Sequence, residues 1–304
     1  MEEMNNKKFG ICNMAFAAGK ESTEGAEIKR YIGVGSAFIL GVNLNKSELE
    51  KVYNRDFDKE PEYISEDENG VKSVRLDFIT RTDPEKNNGI DFITKYSLFL
   101  RNEYRYNRDK TKVQVKDKYG RFAWVGTEDA KNHVIPQYSN GPAHIDKDYT
   151  PAYVGEEDLI KFLIAYLNIP NVMKYINNEW VMVDNPEECK AGLDKIKDYF
   201  KGDFSEIKSV LKLQPKNKIK LAYGVKTSDD NKQYQSFFTE MPLKNGVSDY
   251  SRLDKAIKER KDAGAYASVE FSTEPLHEYV VEATSFEGNT ASQTPFSSND
   301  NLPW

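Results

Sequence analysis

The sequence predicts an α+β fold: an antiparallel sheet or small barrel, with its helices gathered in one block. Strand-like segments come in runs instead of alternating with helices, which argues against parallel βαβ units. Residues Lys72 to Arg81 alternate, with Val74, Leu76 and Phe78 pointing one way and Ser73, Arg75 and Asp77 the other. Leu159, Phe162, Leu163, Tyr166 and Leu167 fall at helical spacing and form one apolar face.

Taken in order, residues 1–27 read as an irregular arm, and Ile28 to Leu40 as a first strand with Gly33 and Gly35 inside it. That stretch begins like a dinucleotide fingerprint, but Phe38 stands where the third glycine belongs, so the glycines are expected as bulge or bend points in a curved strand. A short helix over Lys46 to Asn54 and an acidic loop over Asp56 to Gly70 follow. Strands are predicted over Lys72 to Arg81, Ile90 to Tyr106 and Lys112 to Val125, the last folding back at Lys118-Tyr119-Gly120-Arg121. Asn132 to Gly155 reads as a loop. A helical insertion is predicted over about 156–213: the apolar helix above, ending before Pro170, then a helix opened by Asn185-Pro186 that buries Cys189, Leu193, Ile196 and Phe200, then one capped by Asp203. Strands return over Lys218 to Lys226 and Gln233 to Met241. A helix over about Asp249 to Ala263 stops at Gly264, and short strands over Tyr266 to Phe271 and Glu278 to Ala283 close the order.

Ser285 to Trp304 contains no Lys or Arg and only two acids, Glu287 and Asp300, among mostly small polar residues. Such a segment cannot bury enough apolar surface to offset its ordering entropy, so a disordered tail over 285–304 is expected beside a folded unit over 1–284. A large ring next to proline at a free terminus, Leu302-Pro303-Trp304 with Asp300 before it, suits docking into a partner's pocket.

Composition narrows the chemistry. At 304 residues the chain is long enough to bury a substantial core. The longest uncharged apolar stretch, Tyr31 to Val42, is too short to cross a bilayer. Met1-Glu2-Glu3 is acidic where a secretory leader would be basic, so the cytoplasm is the expected compartment and no membrane partner is expected. Cys12 and Cys189 form no CxxC pair, and His133, His144 and His277 have no ligand spacing; no metal, cofactor or catalytic residue is predicted. Gly19-Lys20 fails as a phosphate loop because Glu21 follows it.

The net charge of −6 hides an asymmetry: between Lys95 and Trp124, nine basic residues against three acids leave +6, interleaved with seven aromatic rings. Cations track phosphates, and rings stack on bases whatever the sequence, at about 1–3 kcal/mol per base. The predicted nucleic-acid contacts are Lys95, Phe99, Arg101 and Arg105 on the odd face of one strand, and Arg108, Lys112, Lys116, Lys118, Tyr119, Arg121, Phe122 and Trp124 beyond it. Arg30 and Arg75 are included as extensions of the groove, while Tyr104 and Tyr106 are assigned with Tyr96, Leu98 and Leu100 to the core face. The competing reading is a solvated strand face with core aromatics.

Two resemblances sharpen the expectation. The ending Asn299-Asp300-Asn301-Leu302-Pro303-Trp304 resembles the C-terminal tip of single-stranded DNA-binding proteins, with Trp304 where that tip has Phe and one acid where it has several. The segments Arg30-Tyr31-Ile32-Gly33-Val34-Gly35-Ser36, Asp83-Pro84-Glu85-Lys86-Asn87-Asn88-Gly89-Ile90-Asp91-Phe92-Ile93 and Leu100-Arg101-Asn102-Glu103-Tyr104-Arg105-Tyr106-Asn107-Arg108-Asp109-Lys110 resemble the single-stranded DNA-binding proteins of large tailed bacteriophages, crAss-like phages included. The likeness implies an OB-like barrel, no enzymatic activity, a place in the host cytoplasm, coating of exposed strands in replication or recombination, and recruitment of a polymerase, primase or helicase by the tip. The alternatives are a metal-dependent nuclease or recombination factor using clustered Asp and Glu, and a non-enzymatic virion or scaffold protein.

Overall fold

The computed structural model describes residues 29–117, 120–134, 145, 147–167, 173–176, 179–182, 196–213 and 216–280. Its strands in chain order are β1 (Tyr31–Val42), β2 (Ile64–Glu66), β3 (Lys72–Thr82), β4 (Ile93–Tyr104), β5 (Lys112–Lys116), β6 (Phe122–Gly126), β7 (Thr150–Pro151), β8 (Tyr153–Val154), β9 (Met173–Ile176), β10 (Glu179–Met182), β11 (Lys218–Thr227), β12 (Gln233–Phe237), β13 (Leu243–Lys244), β14 (Val269–Phe271) and β15 (His277–Glu278). The helices are α1 (Lys46–Tyr53), α2 (Thr127–Lys131), α3 (Glu156–Tyr166), α4 (Ile196–Tyr199), α5 (Ser205–Leu213) and α6 (Ser251–Asp262).

The architecture is α+β, around a mostly antiparallel sheet strongly curled into a half-barrel. Its strand order is β12-β11-β1-β3-β4-β8, with β2, β13, β14 and β15 attached to that path. A second sheet, β6-β5-β7, and a hairpin, β9–β10, form separate strand ladders. The helical insertion expected over 156–213 is therefore mixed, because β9 and β10 interrupt it. The expected helix around Cys189 and Leu193, the N-terminal arm and the C-terminal tail lie outside the described residues.

The alternation in β3 and β4 builds the core. Val74, Leu76, Phe78, Tyr96 and Leu100 are at most 0% exposed, and α3 lays Leu159, Phe162, Leu163 and Tyr166 against the sheet, with Phe162 4.1 Å from Phe78 between ring centroids. Truncating such a ring typically costs about 3–5 kcal/mol, so this face fixes the register of both strands. A smaller core sets α6 against β1 and β11 through Val34, Ala222, Phe238, Leu253 and Ile257.

Gly33 and Gly35 have different reasons from the expected bulge, since the register shift of β1 falls between Ile39 and Gly41. Gly33 has φ +114°, and a Cβ there would stand 2.7 Å from the Glu274 carbonyl oxygen, so close backbone approach requires glycine. The turn after β3 is pinned to β1 by Asn87: its side chain accepts from Ser36 N (2.9 Å) and donates to Ser36 O (2.7 Å). Helix α1 starts with a capping box in which Asn45 and Glu48 satisfy each other's backbone, and it ends at Asn54 in the left-handed conformation. Among the described residues no helix is long and apolar enough to cross a membrane.

Candidate nucleic-acid interface

The β5–β6 ribbon brings together the largest part of the predicted set. Register pairs Lys112 with Gly126, Gln114 with Trp124, and Lys116 with Phe122, so these side chains share one face. The opposite face, Val113, Val115, Ala123 and Val125, packs on Ile145 and Tyr149. On the first face Trp124 is 41% exposed, while Gln114 opposite it is buried.

Three backbone hydrogen bonds lock the ribbon to the main sheet. Arg105 N donates to Ala152 O (2.9 Å), Ala152 N to Gln114 O (2.9 Å), and Gln114 N to Arg105 O (2.8 Å). The Arg105 guanidinium donates to Glu157 (3.1 Å) and lies 5.7 Å from the Trp124 ring centroid, a cation–π placement. Gln114 also donates to Glu157, at 2.7 Å. Burial pushes the Glu157 carboxyl up, but hydrogen bonding and charge from Lys161, Gln114 and Arg105 outweigh it and hold the group below its ordinary value. Asp158 beside it is raised, chiefly by burial.

The cations divide sharply by partner. Arg105 pairs with Glu157, Lys116 with the fully buried Glu156, and Arg121 with Asp117. Arg108, Lys110 and Lys112 are exposed, and none of the three has a carboxylate partner among the described residues. They sit in and just after the 107–111 turn, where Lys110 adopts φ +59°. Lys112 is the diagonal neighbour of Trp124 across the ribbon, within reach of a long side chain.

The β3–β4 part of the set is differently placed. Arg75 lies opposite Phe99, and Phe99 is 62% exposed. Asp77, 3% exposed, takes up both neighbouring cations, with Arg75 Nε at 3.0 Å and Lys95 Nζ at 3.4 Å. Arg101 pairs with Asp67 (3.3 Å) and Glu103 (3.0 Å). A groove of about 930 Å³ opens over this face, walled by α1 and the acidic segment that follows it. Arg30 is tied to Gln233 O (3.1 Å) on β12, at the other end of the strand order, and its desolvation lowers its pKa. Lys118, Tyr119, Asp300, Leu302, Pro303 and Trp304 lie outside the described residues.

Tyr104 and Tyr106 correct the sequence reading. The register of β4 shifts between Arg101 and Tyr104, so the alternation of the core face does not carry through, and the two rings are 44% and 45% exposed. Tyr104 stacks on Tyr153 at 5.4 Å. Lys110, uncounted among the contacts, joins the unpaired cations. The consecutive polar residues Asn102 and Glu103 were the signal that the buried stretch had ended.

Among the described residues no group of three or more His, Cys, Asp or Glu is placed to hold a metal ion. Comparison with models of known protein families, with curated proteins and with solved structures gave no match.

Proposed function

We propose that the protein binds single-stranded DNA on an OB-like curled sheet and its attached ribbon, coats exposed strands during replication or recombination, and is not an enzyme. In this reading the tip Asp300, Leu302, Pro303 and Trp304 recruits a replication protein such as a polymerase, primase or helicase. The observation that carries the proposal is an exposed ring with unneutralised charge: Trp124, held by Arg105, diagonal to Lys112 on the ribbon, with Lys110 and Arg108 in the turn that leads into β5. A stacking platform next to cations that no carboxylate occupies is what a sequence-tolerant single-strand binder requires. Phe122 and Tyr104 supply further half-buried and exposed rings on the same ribbon and its junction.

The test is a titration of labelled oligo-dT and of a duplex of equal length, with and without Mg²⁺. Tight binding of intact oligo-dT over duplex is expected. Cleavage of the strand would establish the nuclease reading instead, and absence of any nucleic-acid binding would leave the scaffold reading.

A further inference from the structure

The two edges of the β5–β6 ribbon differ. Thr127 N donates to Thr111 O and Asp117 N to Arg121 O, each at 3.0 Å, and both pairs lie in register. The odd-numbered residues therefore exchange the hydrogen bonds of this ladder, and the even-numbered ones direct theirs outward. On β5 the outward groups are used: Gln114 N donates to Arg105 O at 2.8 Å, and Gln114 O accepts from Ala152 N at 2.9 Å. On β6 they are the N–H and C=O of Phe122 and Trp124 and the N–H of Gly126. None of these bonds to another described residue.

Strand β6 also lacks the features that protect an open edge. Phe122-Ala123-Trp124-Val125-Gly126 has no charge and no proline, and its pairing with β5 runs without a bulge. Ile145, Tyr149 and Ala130 of α2 cover the Ala123 and Val125 face.

We propose that β6 pairs antiparallel with β6 of a second copy of this chain, about a twofold axis at Trp124. That register sets Trp124 opposite Trp124 of the second copy and Phe122 opposite Gly126. Phe122, Trp124 and Gly126 then all stand at hydrogen-bonded positions of the new ladder, as their outward groups require. The side chains complement each other. A ring faces a glycine at Phe122, Ala123 faces Val125, and the two Trp rings form an aromatic cross-strand pair. Charge agrees with the direction. Glu128 and Asp129 in the first turn of α2 fall at opposite ends of the pairing, whereas parallel strands would set them side by side. A contact of this symmetry closes at two copies and does not grow into a fibre.

The product is one continuous sheet, β7-β5-β6 joined to its twofold mate, with the Trp124 face running from one copy to the next. That the joined face carries a DNA strand rests on the proposed function; the pairing itself does not. Five residues of edge make a small interface, so association should depend on concentration.

The test is sedimentation of the full chain without nucleic acid at rising concentration, with amide hydrogen exchange read on the same samples. A monomer–dimer equilibrium is expected. The Trp124 amide should exchange freely in the monomer and become protected in the dimer, while those of Ala123 and Val125 stay protected throughout. Gly126→Pro is expected to weaken association by at least about tenfold, because proline on an edge removes a donor and obstructs the neighbouring strand. Gly126 has φ −54°, which proline adopts, and its N–H lies outside the β5 ladder. A Cβ there would meet only the Asp129 side chain, 2.9 Å from Oδ2, which can turn away. A melting curve checks that the variant folds, and the exchange of the wild-type chain decides the question without it. A chain that stays monomeric at every concentration overturns the inference. So does association that leaves the Trp124 amide exchanging freely, or a folded Gly126→Pro that associates like the wild type. An oligo-dT titration run separately reads the DNA proposal: a dimer that binds no strand contradicts that proposal alone.

Discussion

The Arg105 guanidinium lies 5.7 Å from the centroid of the Trp124 ring while also donating to Glu157 at 3.1 Å. The two contacts divide the work. Glu157 fixes the arginine and neutralises it, so Arg105 orients the ring more than it attracts phosphate. Trp124 is thereby held as a rigid plane with its free surface toward solvent.

Trp124→Ala should weaken oligo-dT binding by about 5- to 150-fold, the loss of one stacked base. Its melting temperature should change little, because the ring is 41% exposed and outside the main core. Titration and thermal melting of the same variant check both parts. A collapse in stability with unaltered binding would make Trp124 a packing residue.

Lys110→Ala and Lys112→Ala should each reduce the magnitude of the log–log salt slope by about 0.7, because each releases the counterion of one phosphate. Lys116→Ala should not alter the slope, since Glu156 already neutralises that cation; it should instead destabilise the fold by leaving a buried carboxylate unpaired. Titrations at several salt concentrations separate the two kinds of lysine.

Much of this geometry was legible in the sequence. The period-two pattern of Val74, Leu76 and Phe78 and the helical spacing of Leu159, Phe162, Leu163 and Tyr166 fall on the observed core, because each states which face meets apolar surface. The grouping of Lys112, Gln114 and Lys116 on one side also holds, since parity in a strand is fixed by the backbone. Charge partners were not legible. Nothing in the order of residues places Asp77 between Arg75 and Lys95, or Glu156 under Lys116; those pairs form through strand register and the approach of α3. The end of the buried stretch is marked in the sequence only by the polar pair Asn102 and Glu103, and alternation carried past that pair assigns Tyr104 and Tyr106 to the core.

Gly155→Ala should lower stability by more than about 1 kcal/mol. Gly155 has φ +83°, and a Cβ there would collide with the Phe99 carbonyl oxygen. The same residue starts α3, whose first turn supplies Glu156 and Glu157, so oligo-dT affinity should fall together with the melting temperature. Unchanged stability would show that the α3 junction is looser than the hydrogen bonds imply.

Removing Leu302-Pro303-Trp304 should leave the melting curve and oligo-dT binding intact while costing at least about 30-fold in affinity for a replication partner, the usual share of a buried Trp anchor. Pull-down and melting of the truncated chain decide this. A large drop in melting temperature would place Trp304 in the fold and end the recruitment reading.

The most direct test of the central claim is the salt dependence of oligo-dT binding by the full chain. Neutralisation of about three phosphates by the unpaired cations Arg108, Lys110 and Lys112 gives a log–log slope of roughly −2 on single strands, with weak affinity for duplex. A flat response to salt, or a preference for duplex, would contradict the account.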